Sequence, residues 1–341
     1  MQTKPKVSIV ILNWNGAKFL KEYLPSVLKT KYSNLEIIVG DNASSDNSLE
    51  VLSKEFNGVN VLSNPKNYGF AKGYNEILKQ VGSDYYVLLN SDVQTPEYWL
   101  EECIDFMEKT PKAYACQPHI IDLKDKGKYE YAGAAGGYLD IWGFPFCKGR
   151  IFDTIENINT DYENNQEVFW ASGACLIIRA EKYHKLGGLD EDFFAHMEEI
   201  DLCWRLKNVG GQIWSIGNSK VYHLGGGSLS YGNPRKVYLN FRNNLFMLLK
   251  NWPMSTLLWR LPIRMLIDYM AVFKFIISGE FSSAWAVIKA HSHFEWNFFK
   301  TLQKRQTRQT PLKKLTGLYK KSLIKAYFIM GKKYFSDLKL R

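Results

Sequence analysis

Four short apolar runs, at 7–12, 35–39, 59–62 and 85–89, each give way to a polar loop rich in asparagine, aspartate or serine, and an amphipathic stretch follows each loop. Runs this short and this rich in β-branched and aliphatic residues read as strands buried on both faces, and their alternation with amphipathic stretches gives β-α-β units around a mainly parallel sheet. The expected helices cover 17–28, 48–55, 71–81 and 96–109, the last opened by Thr95 as cap and Pro96 at its first position. An unpaired carboxylate is too costly to bury inside such a sheet, so Asp41 and Asp92, which follow two of the runs, belong at the open ends of strands. Ligands of open α/β sheets bind outside those carboxyl ends. The loops Asn13-Trp14-Asn15-Gly16, 41–46, 64–69 and Asn90-Ser91-Asp92 therefore gather on one edge as a site.

Residues 110–166 are less regular, rich in Gly, Tyr and Asn, and read as a variable insertion near the site. A long strand is expected at 167–178, helices at 181–185 and 197–209, and a short strand pair at 212–216 and 219–223 leading into Gly225-Gly226-Gly227. The organisation expected is a catalytic domain over 1–230, with a nucleotide half at about 1–110 and an acceptor half at about 111–230, and a helical, basic region over 231–341. Charge divides in the same way: 23 Lys and Arg face 30 Asp and Glu up to residue 234, against 21 and 4 beyond it. Such a tail points to an anionic partner. Nucleic acid is set aside, because no nucleic-acid-binding motif accompanies the charge. In 261–278 the residues Arg264, Asp268, Ala271, Lys274 and Ser278 share one face and apolar side chains take the rest. Two uses fit that helix: lying in an anionic membrane surface, or packing its apolar face on the catalytic body. Five widely spaced cysteines without a CxxC pair suggest neither a disulfide framework nor a zinc site. A cytoplasmic location, peripheral to the inner face of the plasma membrane, is the matching expectation.

Neither GxGxxG nor GxxxxGK[ST] occurs, which argues against a dehydrogenase and a P-loop enzyme. A diphosphate bound at this edge would need its charge met by a divalent cation, for which an oxygen ligand such as Asp92 is suited. Three carboxylates crowd the start of the helix expected at 197–209: Glu198, Glu199 and Asp201. The helix dipole favours acidic residues there, but three exceed that need, and one held beside a substrate would serve as general base.

In order and spacing the series NWN (13–15), DNASSDNS (41–48), NYGFAKGYN (67–75), LLNSDV (88–93), ASGACLIIR (171–179), GGLDEDFFAHMEEIDLCWRLKNVGG (187–211) and VYHLGGGS (221–228) resembles the family 2 glycosyltransferases of the GT-A fold, in the bacterial branch that holds rhamnosyltransferases. The resemblance covers roughly residues 5–250. It implies an α/β fold of that type with a C-terminal helical extension. It also implies that Asn13, Asn15, Asp41, Asn42, Asn67, Gly69, Asn75, Asn90 and Ser91 line the nucleotide, and that Asp92 with His223 holds Mg²⁺ or Mn²⁺ on the donor diphosphate. Glu199 falls where the family has its catalytic base, with Asp201 and Glu198 as the other choices. Ser172 and Gly173 fall beneath the acceptor, and Trp170 is the residue that could stack on a sugar.

The activity implied is metal-dependent, inverting transfer of a sugar from a nucleotide-diphosphate donor, dTDP-rhamnose being the specific expectation, to a saccharide or lipid-linked acceptor in cell-surface glycan synthesis. A sugar-phosphate nucleotidyltransferase is the rival enzyme, and a non-catalytic membrane- or glycan-binding protein is the rival of a different class.

Overall fold

A computed structural model of the chain describes residues 4–158, 162–225 and 233–340. The first half alternates as its pattern requires, through β1 (Val7–Asn13), α1 (Ala17–Leu28), β2 (Leu35–Asp41), α2 (Ser48–Glu55), β3 (Asn60–Ser63), α3 (Gly69–Leu78) and β4 (Tyr85–Leu89). Then come β5 (Val93–Gln94), α4 (Trp99–Lys109), β6 (Ala113–Asp122), β7 (Gly137–Asp140), β8 (Pro145–Cys147), β9 (Arg150–Ile151), β10 (Thr154–Ile155) and β11 (Gln166–Val168). β12 (Cys175–Arg179), α5 (Ala180–Lys185), α6 (Glu198–Asn208) and β13 (Gln212–His223) close the body. The chain continues through α7 (Pro234–Asn251), α8 (Met254–Ile277), α9 (Phe281–Trp296), α10 (Phe298–Gln303) and β14 (Leu318–Tyr319).

The main sheet runs β11-β13-β6-β12-β4-β1-β2-β3, with β5 attached to the end of β13. From β4 to β3 the strands are parallel, so their carboxyl ends share one edge. Beyond β4 the sheet is mixed: β12 is antiparallel to both β4 and β6, and β13 is parallel to β6. Alternation along each strand separates two core layers. Val7, Ile9 and Ile11 face α1, α2 and α4, whereas Val10 faces the layer of α3, α6 and α7.

Four expectations change. Helix α4 starts at Trp99, not Pro96: the Thr95 N–H donates to Ser26 Oγ at 3.1 Å and the Glu97 carbonyl accepts from Lys31 at 2.7 Å, so this stretch bridges to α1 instead of winding. The long strand at 167–178 is two strands, β11 at the sheet margin and β12 near its middle, because 169–174 carry the chain across the core. The strand pair at 212–216 and 219–223 is one strand, β13, with a register shift between Ile216 and Lys220. Residues 110–166 are not a loose insertion; they supply central strand β6 and most of a second sheet, β10-β9-β8-β7-β14.

The segment after residue 233 shares the core of the body. Leu245, Leu248, Leu249 and Trp252 of α7 and its following turn, then Phe294, Tyr319 and Leu338, are buried in one cluster with Leu176 of β12 and Trp204 of α6. Part of the charge asymmetry is spent internally: Lys250 meets Asp190 at 2.7 Å and Asp201 at 2.8 Å, and Lys304 meets Asp190 and Asp192 at 2.5 and 2.7 Å. Among the described residues no helix is long and apolar enough to cross a membrane.

Candidate active site

Two adjacent parallel strands create the first corner. In register, Asn13 at the end of β1 lies opposite Asp41 at the end of β2. Asn13 Nδ2 donates to Asp41 Oδ1 at 3.2 Å and to Ser44 Oγ at 3.0 Å, and the Ser44 N–H donates to Asp41 Oδ2 at 3.0 Å. Asn15, held at φ 52°, accepts from the Ser45 N–H at 2.7 Å and so ties the first loop over the second. Asp41 is buried, and Asn13 Oδ1 is a buried oxygen without a protein partner.

The second corner lies at the end of β4, where β5 pairs antiparallel with β13 and sets His223 opposite Val93. This register carries His223 Nε2 to 3.1 Å from Asp92 Oδ1 and 3.5 Å from Asn90 Nδ2, while its Nδ1 faces Glu130 Oε2 at 3.4 Å. Burial works against a charged imidazole, but hydrogen bonds to Asp92 and Glu130 outweigh it and push His223 up to about 10. Two buried carboxylates thus hold one positive charge between them, and a divalent cation could take the proton's place. Among the described residues no group of three or more His, Cys, Asp or Glu is set to grip a metal. Asp92 and His223 offer one oxygen and one nitrogen, a set that fits Mn²⁺ or Mg²⁺ when diphosphate oxygens and water supply the remaining ligands.

The third corner is the start of α6. Phe194, His196 and Met197 adopt left-handed backbone at φ 64°, 71° and 72°, an unusual run that needs outside support. Support comes from α7: Asn243 Nδ2 donates to the carbonyls of Phe193, Ala195 and His196 at 2.9, 2.8 and 2.7 Å, and Arg242 reaches the Asp192 and Phe193 carbonyls at 2.9 and 3.0 Å. From the other side the Phe70 N–H of α3 donates to the Phe194 carbonyl at 2.7 Å. The turn brings Glu199 beside Gly173, where an added Cβ would lie 3.8 Å from Glu199 Cβ. The next residue, Ala174, accepts from the Asn90 N–H at 3.0 Å. Glu199, Gly173, Asn90, His223 and Asp92 are therefore consecutive neighbours along the same edge as Asp41.

Glu199 is half-buried with Oε2 unpartnered, and burial pushes its carboxyl up to about 7. Glu198 is more deeply buried; burial and then the neighbouring Glu199 push its carboxyl well above the usual range. A carboxyl near 7 can accept a proton at neutral pH.

Several expected site residues have other tasks. Asp201 is fully buried and accepts from Arg205 Nε, Lys250 Nζ and Asn251 Nδ2, each at 2.8 Å; burial opposes its charge, but the two cations lower it, leaving a structural anion and no base. Trp170 is a core residue whose indole N–H donates to the Tyr138 carbonyl at 3.0 Å, so its ring is closed to a sugar. Ser172 is buried too, its hydroxyl donating to the Ala132 carbonyl and its N–H to Gln117 Oε1 at 2.8 Å. Asn75 clamps the loop before α6, donating to the Leu189 carbonyl at 2.8 Å and accepting from Tyr183 at 2.6 Å. Asn42 and Asn67 bond each other at 3.0 Å, and Gly69, at φ 75°, leaves room for Phe194, whose ring would lie 2.5 Å from a Cβ there. Ser91 sits in the loop beside Gly16, facing the first corner. Of the VYHLGGGS block, Gly226, Gly227 and Ser228 lie outside the described residues.

Sequence reading missed Glu130, in the stretch taken for an insertion, and Lys236 in the first turn of α7. Lys236 lies within electrostatic reach of Glu130 and Arg150, and burial lowers its ammonium. No pattern marks Glu130, whereas the basic excess that begins at Arg235 was a signal for Lys236.

The sequence pattern of the family described as Glycosyl transferase family 2 matches residues 8–187. N-acetylglucosaminyl-diphospho-decaprenol L-rhamnosyltransferase of Mycobacterium tuberculosis is 25% identical over 231 residues, which is 63% of this chain and 75% of that protein. Rhamnosyltransferase WbbL of Escherichia coli is 24% identical over 60% of this chain and 78% of its own length. Among solved structures, GalNAc-T7 with UDP, GalNAc and Mn²⁺ superposes at TM-score 0.58 and 16% identity, covering 74% of this chain and 49% of that one. Mannosyltransferase PcManGT from Pyrobaculum calidifontis, solved with GDP-Man and Mn²⁺, gives TM-score 0.55 and 12% identity, covering 87% and 88%.

Proposed function

This chain belongs to glycosyl transferase family 2 and has the GT-A fold, and on that premise we propose that it is an inverting, metal-dependent glycosyltransferase in which Glu199 is the general base. The observation that carries the assignment is a carboxyl pushed up to about 7, with one unpartnered oxygen, on a residue packed beside Gly173 near the strand end that bears Asp92 and His223. Asp41 with Asn13 would hold the nucleoside, with Asn15 and Ser91 at the mouth of that corner, and Asn90 would meet the ribose or a water of the diphosphate. Asp92 and His223 would hold Mn²⁺ or Mg²⁺. When bound, that ion supplies charge neutralisation for the departing diphosphate.

Glu199 accepts the proton of an acceptor hydroxyl as that oxygen bonds to the anomeric carbon, and the bond from that carbon to the diphosphate breaks on the opposite face. Configuration inverts, and a nucleoside diphosphate leaves. The names of the two rhamnosyltransferase relatives support rhamnose as the sugar, with dTDP as the carrier we expect, and that of the mycobacterial one supports a polyprenyl-diphosphate-linked saccharide as acceptor. A panel of nucleotide sugars with Mn²⁺ or Mg²⁺ tests the reading: turnover should release nucleoside diphosphate, and Glu199→Gln should lose it by about a thousandfold while binding donor within twofold of wild type. Release of pyrophosphate, or near-normal turnover by the variant, would refute it.

A further inference from the structure

Helix α8 is assembled inside out. Its charged pair, Arg264 and Asp268, faces the protein: Arg264 bonds Asp268, the Trp142 carbonyl at 3.0 Å and Asn244 Oδ1 at 3.2 Å, and Asp268 meets His291 of α9 at 3.2 Å. On the opposite side, within a face about 120° wide at 100° per residue, Leu258, Leu266, Met270, Phe273 and Ile277 are between 62% and 83% exposed. Across a short link α9 continues the theme, with Phe281, Trp285 and Trp296 between 65% and 90% exposed. Burying ions while exposing the apolar face is the reverse of a helix designed for water, and a continuous apolar surface of this kind marks a contact.

The chemistry of the contact is written beside it. Lys274 borders the apolar face of α8 and Lys289 stands on α9 between Trp285 and Trp296, both exposed, in a segment with 21 basic and 4 acidic residues. Aromatic and aliphatic side chains flanked by lysines match a surface that sinks into lipid and meets anionic headgroups. The helix does not span: its other face is bonded into the protein, and among the described residues no helix is long and apolar enough to cross. We propose that the α8–α9 hairpin binds in the plane of an anionic phospholipid bilayer, apolar face inward. This does not depend on which sugar is transferred, or on transfer at all.

Flotation of the full chain with phosphatidylcholine vesicles, with or without about one third phosphatidylglycerol, tests it. Wild type should float with the anionic vesicles, less at high salt, and brominated acyl chains should quench its tryptophan fluorescence. Leu266→Ser/Phe273→Ser/Trp285→Ser changes only exposed positions, so its melting temperature should hold while vesicle partitioning falls at least about tenfold. Sedimentation supplies the opposing outcome. A wild type that stays with the soluble fraction, or a variant that floats as well as wild type, overturns the proposal, as does a wild-type dimer that ignores vesicles and is dissolved by the triple change.

Discussion

At the scale of single residues the site is decided by how each carboxylate is compensated. Glu199 has a buried oxygen without a donor and Asp201 has three donors, so neighbouring acids on one helix turn behave oppositely. Glu199 must be ionised to take a proton, so kcat/KM should climb about tenfold per pH unit below about 7 and level off above it, in a pH-rate profile with saturating metal. Stability should run the other way. Its folded-state value lies above the ordinary 4.5, so its contribution is fully present below 4.5 and is lost as pH rises through about 7. Glu199→Gln should therefore melt higher than wild type at pH 8, by about 1–3 kcal/mol in stability, and show no gain at pH 4. Asp201→Asn should instead destabilise by about 3–5 kcal/mol, because Lys250 and Arg205 would keep buried charges without their anion. Equal melting curves for Asp201→Asn and wild type would contradict that account.

Between elements, the turn before α6 is held by a helix distant in sequence. The left-handed backbone at Phe194, His196 and Met197 is paid for by Asn243 of α7, whose amide serves three carbonyls. Asn243→Ala would leave those carbonyls buried and undersupplied, at about 2–3 kcal/mol. Thermal melts should register that loss, and kinetics should show kcat falling more than KM rises, since the Asn243 side chain bonds the turn before α6 and its neighbour Arg242 rather than the strand ends that carry Asp41 and Asp92. An unchanged kcat would mean that α3 and Asn75 alone position the turn. The strands and helices up to α3 were legible because each obeys one local rule: apolar run, polar stop, amphipathic return. Asp41 and Asp92 stood out for a related reason, as acids at strand ends where burial is costly, whereas Glu199 was singled out among three neighbouring carboxylates only by the family resemblance. The roles of Asn75, Ser172 and Trp170 were not legible: an amide or indole inside a motif looks the same whether it faces a substrate or a backbone carbonyl, and only tertiary contacts decide. Glu130 lay in a stretch whose strands pair mainly with one another and with β14, so no local period announced them.

For the whole molecule, the question is whether the basic C-terminal region is an appendage or part of the fold. Its lysines answer the acids of the body at Asp190, Asp192 and Asp201, so the opposite charges of the two segments are partly an internal complement. Its apolar residues answer too. Leu245, Phe246, Leu248, Leu249 and Trp252 alone are buried in the layer that also contains α3 and α6, and at roughly 1.5–3 kcal/mol each they contribute on the order of 10 kcal/mol, comparable with the whole margin of a typical domain. A chain cut before Asn233 should therefore be insoluble or lack a cooperative melt, and should not bind nucleotide, as read by soluble yield, circular dichroism and calorimetry. A folded, nucleotide-binding fragment ending there would instead show that residues 1–230 stand alone and that α7 only decorates them. The sign of this result also governs the membrane surface: if removing the region collapses the body, only side-chain changes on the exposed faces of α8 and α9 can separate loss of lipid contact from loss of fold.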